Sequence, residues 1–72
     1  MTNVTELVLM VNGEARRVPA PATAAQLLDH LGLDPREVVV EVNRHIVRRP
    51  ELPATALADG DAIELVHFVG GG

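Results

Sequence analysis

Cysteine, serine, lysine, tryptophan and tyrosine are all missing from this 72-residue chain, and Phe68 is its only aromatic residue. Without cysteine there is no disulfide, no thiolate metal ligand and no thiol nucleophile. Without serine, side-chain hydroxyls come only from threonines near the N-terminus, at Thr23 and at Thr55. The shortage of aromatics removes the stacking platforms on which nucleic-acid bases lie. Positive charge is also scarce. Six basic residues against ten acidic ones give a net charge of −4, the wrong sign for binding a polyanion, so no nucleic-acid partner is expected. Met1 to Glu6 carries no basic lead, and the apolar run Leu7 to Val11 is far too short for a signal sequence or a membrane span. A cytoplasmic chain with no membrane partner is the expectation. All six basic residues are arginines. GC-rich coding accounts for that, although a chain without lysine also offers no side-chain amine to an activated acyl group of its own.

What is present suffices for one folded unit. The composition is 47% hydrophobic and 22% charged, enough to pack a core but too little chain to enclose a deep cleft. There is no internal repeat and no linker before the final glycines. Leu7 to Val11 reads as a strand, Asn12-Gly13 as a type I′ turn, and Glu14 to Val18 as the returning strand, ended by Pro19 and Pro21. Thr23 and Gln26 form a T-x-x-Q capping box for a helix over Ala24 to Leu31, whose apolar stripe is Leu27, Leu28 and Leu31. Gly32 then provides a left-handed stop, with Leu33 in place for the accompanying apolar contact. Asp34-Pro35 breaks the chain. Val38 to Val42 reads as a buried strand, Ile46-Val47 as a short one, and the stretch from Pro50 to Ala58 as irregular. Asp59-Gly60 turns into a last strand, Ala62 to Phe68. Strands with a single helix on one sheet face make an α+β layout, not a βαβ repeat.

Catalytic apparatus is hard to find in this pattern. His30, His45 and His67 have no metal-ligand spacing, no glycine-rich phosphate loop precedes the helix, and Glu41 and Glu64 have no pocket around them. What remains is the end of the chain, Val69-Gly70-Gly71-Gly72. Three glycines reach about 10 Å and, lacking Cβ atoms, can enter a narrow channel. Their last carboxylate, with an ordinary pKa of about 3.3–3.7, is a weak nucleophile that an ATP-using partner could adenylate. A frayed end is the plain alternative.

The segment Asp59-Gly-Asp-Ala-Ile-Glu-Leu-Val-His-Phe-Val-Gly-Gly-Gly72 resembles the C-terminus of the ThiS family, the sulfur carriers of thiamin biosynthesis. Val40-Glu-Val-Asn-Arg-His-Ile-Val47 resembles that family's third and fourth strands, and Val11-Asn-Gly-Glu14 its first turn. Met1 to Glu6 and Arg48-Arg49 depart from the pattern without touching its chemistry. The resemblance implies a β-grasp, ubiquitin-like fold: one domain over residues 1–69, a mixed sheet of four to five strands packed on one helix, and a flexible tail over 70–72.

It also implies a cycle on Gly72, with Gly71 beside it. A ThiF-type adenylyltransferase, using ATP and Mg²⁺, activates the carboxylate. A sulfur donor protein converts it to a thiocarboxylate, and thiazole synthase consumes the sulfur. The chain itself would bind no cofactor or metal, would be a co-substrate rather than an enzyme, and would be a monomer when free. Alternatives are the small subunit of molybdopterin synthase, a carrier for another sulfur-containing metabolite, a ubiquitin-like modifier joined to lysines, and an interaction domain with an inert tail. Strand alternation places Glu64, Val66 and Phe68 on the face away from the helix, beside Val39 and Glu41. With Val69 and Gly70 they form the expected partner-binding surface. The competing reading has Phe68 closing the end of the core.

Overall fold

The computed structural model describes residues 5–68. The chain begins with a hairpin of β1 (Glu6–Val11) and β2 (Glu14–Pro19). Asn12 and Gly13 sit at φ 50° and 81°, the pair of positive values that a type I′ turn requires and that asparagine and glycine tolerate. The helix α1 (Ala24–Leu31) starts where the capping box places it. Gln26 N–H donates to Thr23 Oγ1 at 3.2 Å, and Thr23 N–H donates to Gln26 Oε1 at 2.8 Å. It stops at Gly32, φ 72°, where the Gly32 and Leu33 amides donate to Asp29 and Leu28 carbonyls. This is a Schellman end, satisfying carbonyls that the helix leaves free.

A short 3₁₀ turn (Pro35–Glu37) leads into β3 (Val38–Val42), β4 (His45–Val47) follows, and β5 (Ala62–His67) completes the sheet. The strand order is β2-β1-β5-β3-β4, with β1 and β5 parallel and every other pair antiparallel. This mixed five-stranded sheet with one helix on one face is the expected β-grasp arrangement. The last strand is therefore central, with partners on both sides.

The core lies between α1 and one sheet face. Leu7, Leu9, Val11, Val18, Val38, Val40, Ile63 and Leu65 meet Ala24, Leu27 and Leu28, with Leu52 and Leu57 closing one side. Four expectations need correcting. Leu31 packs against the core but is only half-buried, because at the helix end it lines an open hollow with Val11, Leu33 and Leu65. Val38–Val42 is not buried throughout: Val38 and Val40 are, Val39 on the opposite face is half-exposed, and Val42, on the core face at the strand end, is only partly buried, so a valine-rich run conceals an ordinary alternation of faces. Residues 43 and 44 form a second I′-like turn, with φ 50° and 71°, that pairs β3 with β4 as a hairpin; Arg44 in a left-handed conformation gives no sequence warning. The expected irregular stretch contains a 3₁₀ segment, Arg49–Ala54, docked on the helix start through Ala24 N–H to the Thr55 carbonyl at 2.9 Å. Strand ends differ by a residue, β5 closing at His67 rather than Phe68. Among the described residues, no helix is long and apolar enough to cross a membrane.

Candidate functional site: the open sheet face and the end of β5

The helix covers one face of the sheet, and the residues that alternate away from it are left to solvent. On β5 these are Glu64 and Val66, followed by Phe68 just past the strand. The registers Val39↔Val66 and Glu41↔Glu64 place the β3 residues directly beside them, and Glu41↔Ile46 extends the row to β4. Val66 is 53% exposed, Phe68 63% and Ile46 67%. On the other side of β5, Val8 and Met10 of β1 are also exposed, with Met10 opposite Ala62. The exposure of Phe68 excludes the reading in which it closes the core. Its backbone is nevertheless held: Phe68 N–H donates to the Glu37 carbonyl at 2.9 Å.

Glu41 and Glu64 are cross-strand partners, and among the described residues neither takes part in an ion pair. Two carboxylates directly opposite each other destabilise a sheet. Here they stand at the border of the apolar group formed by Val39, Val66 and Phe68. The described ion pairs lie elsewhere, at Arg16–Glu14, Arg17–Glu6 and Arg36–Asp34. In the last of these, hydrogen bonds from the Arg36 side chain and then from its backbone N–H hold the Asp34 carboxyl down to about 2. That pair caps the turn before β3 and is structural.

The structure thus brings together Glu64, Val66 and Phe68 of the expected partner-binding residues. Val69, Gly70, Gly71 and Gly72 lie outside the described residues. His30, His45 and His67 are all exposed and do not gather with acids into a metal-binding group among the described residues.

Sequence reasoning missed how firmly β5 is clamped. Asp59 Oδ1 accepts from the Val8 N–H at 2.6 Å, and the Gly60 N–H donates to the Val8 carbonyl at 2.8 Å. Asn43, in the second hairpin turn, donates through Nδ2 to Asp61 Oδ1 and accepts from the Ala62 N–H through Oδ1, at 3.0 and 2.9 Å. Asn12, in the first, bonds the main chain of Leu65 alone, with Nδ2 donating to its carbonyl at 3.1 Å and Oδ1 accepting from its N–H at 2.8 Å. The only signal in the sequence was an asparagine at each turn, which turn chemistry alone already explains.

The end of β5, the acidic and apolar face around it and the glycines beyond residue 68 can be compared with known proteins. The chain is 45% identical over 64 residues to a thiazole synthase of Paramagnetospirillum magneticum, a stretch covering 89% of this chain and 20% of that protein. It therefore spans about a fifth of the length of that relative. It is 42% identical over 50 residues to the sulfur carrier protein ThiS of Bacillus subtilis, covering 69% of this chain and 76% of that protein. The crystal structure of a thiamine biosynthesis protein (ThiS) from Geobacter metallireducens superposes with a TM-score of 0.78 at 35% identity, covering 92% of this chain and all of that one. The ThiS family model matches residues 9–72, from the middle of β1 through the final glycine, and on that span the chain belongs to the ThiS family.

Proposed function

We propose that this chain is a sulfur carrier of thiamine biosynthesis and that Gly72 bears the sulfur. The observation that carries the proposal is the family match itself, whose span takes in Gly70, Gly71 and Gly72. In the first step a carboxylate oxygen of Gly72 attacks the α-phosphorus of ATP on a ThiF-type adenylyltransferase. Pyrophosphate leaves and an acyl-adenylate forms, with Mg²⁺ supplied at the partner's site. Sulfide delivered by a sulfur donor protein then adds to the acyl carbon and expels AMP, leaving a thiocarboxylate. Thiazole synthase takes that sulfur, an oxygen from the acceptor substrate or from water replaces it on the acyl carbon, and the carboxylate is restored for another round. Two relatives named thiazole synthase contain a segment like this chain, which supports that choice of acceptor.

In this cycle the chain is a co-substrate and the reactions are its partners'. Its own contribution is recognition and delivery. The exposed Val66 and Phe68, bordered by Glu64 and Glu41, supply an apolar anchor and an acidic margin suited to a partner surface that carries Arg or Lys. Val69 and Gly70 continue from that anchor towards the reacting end.

Intact-mass measurement tests the proposal. Incubation with a ThiF-type adenylyltransferase, ATP, Mg²⁺ and sulfide should raise the mass by about 16 Da, the exchange of one oxygen for sulfur once the adenylate is displaced. Removing Gly72, or adding one residue after it, should abolish the gain while the fold persists. A gain that survives either change would place the chemistry elsewhere.

A further inference from the structure

The two hairpin turns grip β5 at opposite ends with the same device. Asn43 holds its beginning, at Asp61 and Ala62, while Asn12 holds Leu65, near its end. The second grip occupies a special place. Backbone pairing between β1 and β5 stops at Val11↔Ile63, followed by the Asn12 N–H to the Ile63 carbonyl at 2.9 Å. The chain then turns away into β2. Leu65 therefore points its N–H and carbonyl at a position where β1 no longer has backbone to offer. The Asn12 carboxamide fills that position, donor to carbonyl and acceptor to N–H, in place of the carbonyl and N–H that a longer β1 would supply. The contact is partly buried and spans 53 residues of sequence. Past Leu65, strand pairing continues on the β3 side, through Val39↔Val66, Val38↔His67 and the Phe68 N–H to Glu37.

The turn alone does not require this side chain. Glycine supplies positive φ at least as readily, and nothing lies within 4 Å of a Cβ placed on the neighbouring Gly13, so the turn is not crowded. We propose that Asn12 is a positioning residue: its clamp on the Leu65 peptide fixes the direction in which β5 delivers residues 69–72 to the partner's site. The proposal rests on the carrier reading. Without the clamp, Val66, His67 and Phe68 would keep only their β3-side partners, so the end of β5 could pivot about that edge, and misplacement of a reacting group by about 1 Å can cost about a hundredfold in rate. Losing the clamp should therefore lower turnover on the partner more than it lowers affinity, because the docking residues Val66 and Phe68 keep their β3 contacts.

The test compares Asn12→Gly, Asn12→Asp and the control Asn43→Gly with the wild-type chain, at a temperature where urea titration shows all four folded. Both glycine variants keep a turn-compatible residue and remove a side-chain clamp on β5, but only one removes it next to the tail. Hydrogen exchange should show the Leu65 amide opening faster in Asn12→Gly and not in Asn43→Gly. In the mass assay, kcat for thiocarboxylate formation should fall about tenfold or more in Asn12→Gly, with the half-saturating carrier concentration within about twofold of wild type. Asn12→Asp should be slower still, since a carboxylate keeps the acceptor for the Leu65 N–H but opposes its carbonyl. Unchanged Leu65 exchange in Asn12→Gly would overturn the clamp, and a kcat equal to that of Asn43→Gly would overturn the positioning role. A wild-type chain that no adenylyltransferase converts would overturn the carrier reading and the positioning role together, while the exchange data would still report on the clamp alone.

Discussion

Replacing Phe68 with alanine separates docking from stability, because the structure assigns most of this ring to solvent. A phenylalanine side chain buries about 150–250 Å² when fully enclosed. At 63% exposure, about 75 Å² of it is covered in the free chain, equivalent to at most about 2 kcal/mol at about 25 cal/mol per Å². An extended unfolded reference overstates burial by about 10–40%, which brings the expected loss nearer 1 kcal/mol. A core phenylalanine would cost about 3–5 kcal/mol. The remaining ~125 Å² becomes available on docking and corresponds to about 3 kcal/mol, or about a hundredfold in Kd, if the partner covers the ring fully. Urea titration should therefore show Phe68→Ala as a mildly destabilised protein, and calorimetric titration against a ThiF-type adenylyltransferase should show binding weakened by more than about 1 kcal/mol. A loss of stability above about 3 kcal/mol with unchanged affinity would refute the reasoning, since it would mean that the ring packs inside the free protein.

The helix offers two further tests. With both arms of its capping box formed, Thr23→Ala should lower stability by about 0.5–2 kcal/mol, read from the urea midpoint. Leu28, 1% exposed, should lose about 2–5 kcal/mol on truncation to alanine, and half-buried Leu31 clearly less; equal losses would show that the helix end is covered more fully than described. Asp34 gives a pH signature: its carboxyl is lowered from an ordinary 3.8 to about 2 by Arg36, so the folded state holds that proton less tightly than the unfolded chain does. The stabilisation is complete above about pH 4 and is lost as pH falls towards 2. Asp34→Asn should flatten the stability profile in that window, and an unchanged acid limb would contradict the assignment. Glu41→Gln removes one of two opposed carboxylates and should stabilise the free chain by about 0.2–1 kcal/mol, while slowing association with the partner and weakening its dependence on salt; a destabilised variant would mean that the pair is satisfied in the free protein.

That last pair of effects, better folding against poorer recognition, is what distinguishes a functional face from a merely unfinished one. Local rules account for most of the fold. The Asn12-Gly13 turn, the Thr23–Gln26 box and the Gly32–Leu33 stop each depend on a few neighbouring residues, and each formed where its residue types placed it. Alternation along β5 also sorted Ile63 and Leu65 from Val66 and Phe68 correctly, because a central strand with one covered face must segregate its side chains.

Where local rules met a tertiary choice, they fell short. Val38–Val42 reads as a buried strand because valine suits either face; alternation set Val39 and Glu41 on the open face, and the pairing with β5 agrees, but the partial exposure of Val42 at the strand end has no local signal. The β3–β4 hairpin depends on Arg44 accepting a left-handed conformation that costs most L-residues about 1–2 kcal/mol, and it is supported from outside the turn by Asn43 bound to Asp61 and Ala62. The candidate site divides along the same line. Its apolar and acidic members were legible because they belong to one strand and its register. The Asn12 clamp was not, because a carboxamide that replaces a missing peptide 53 positions away in sequence has a local signature identical to that of any Asn-Gly turn. An asparagine whose turn would be served as well by glycine is thus worth checking for a long-range partner, and in this chain both such asparagines grip the one strand that leads to the glycines.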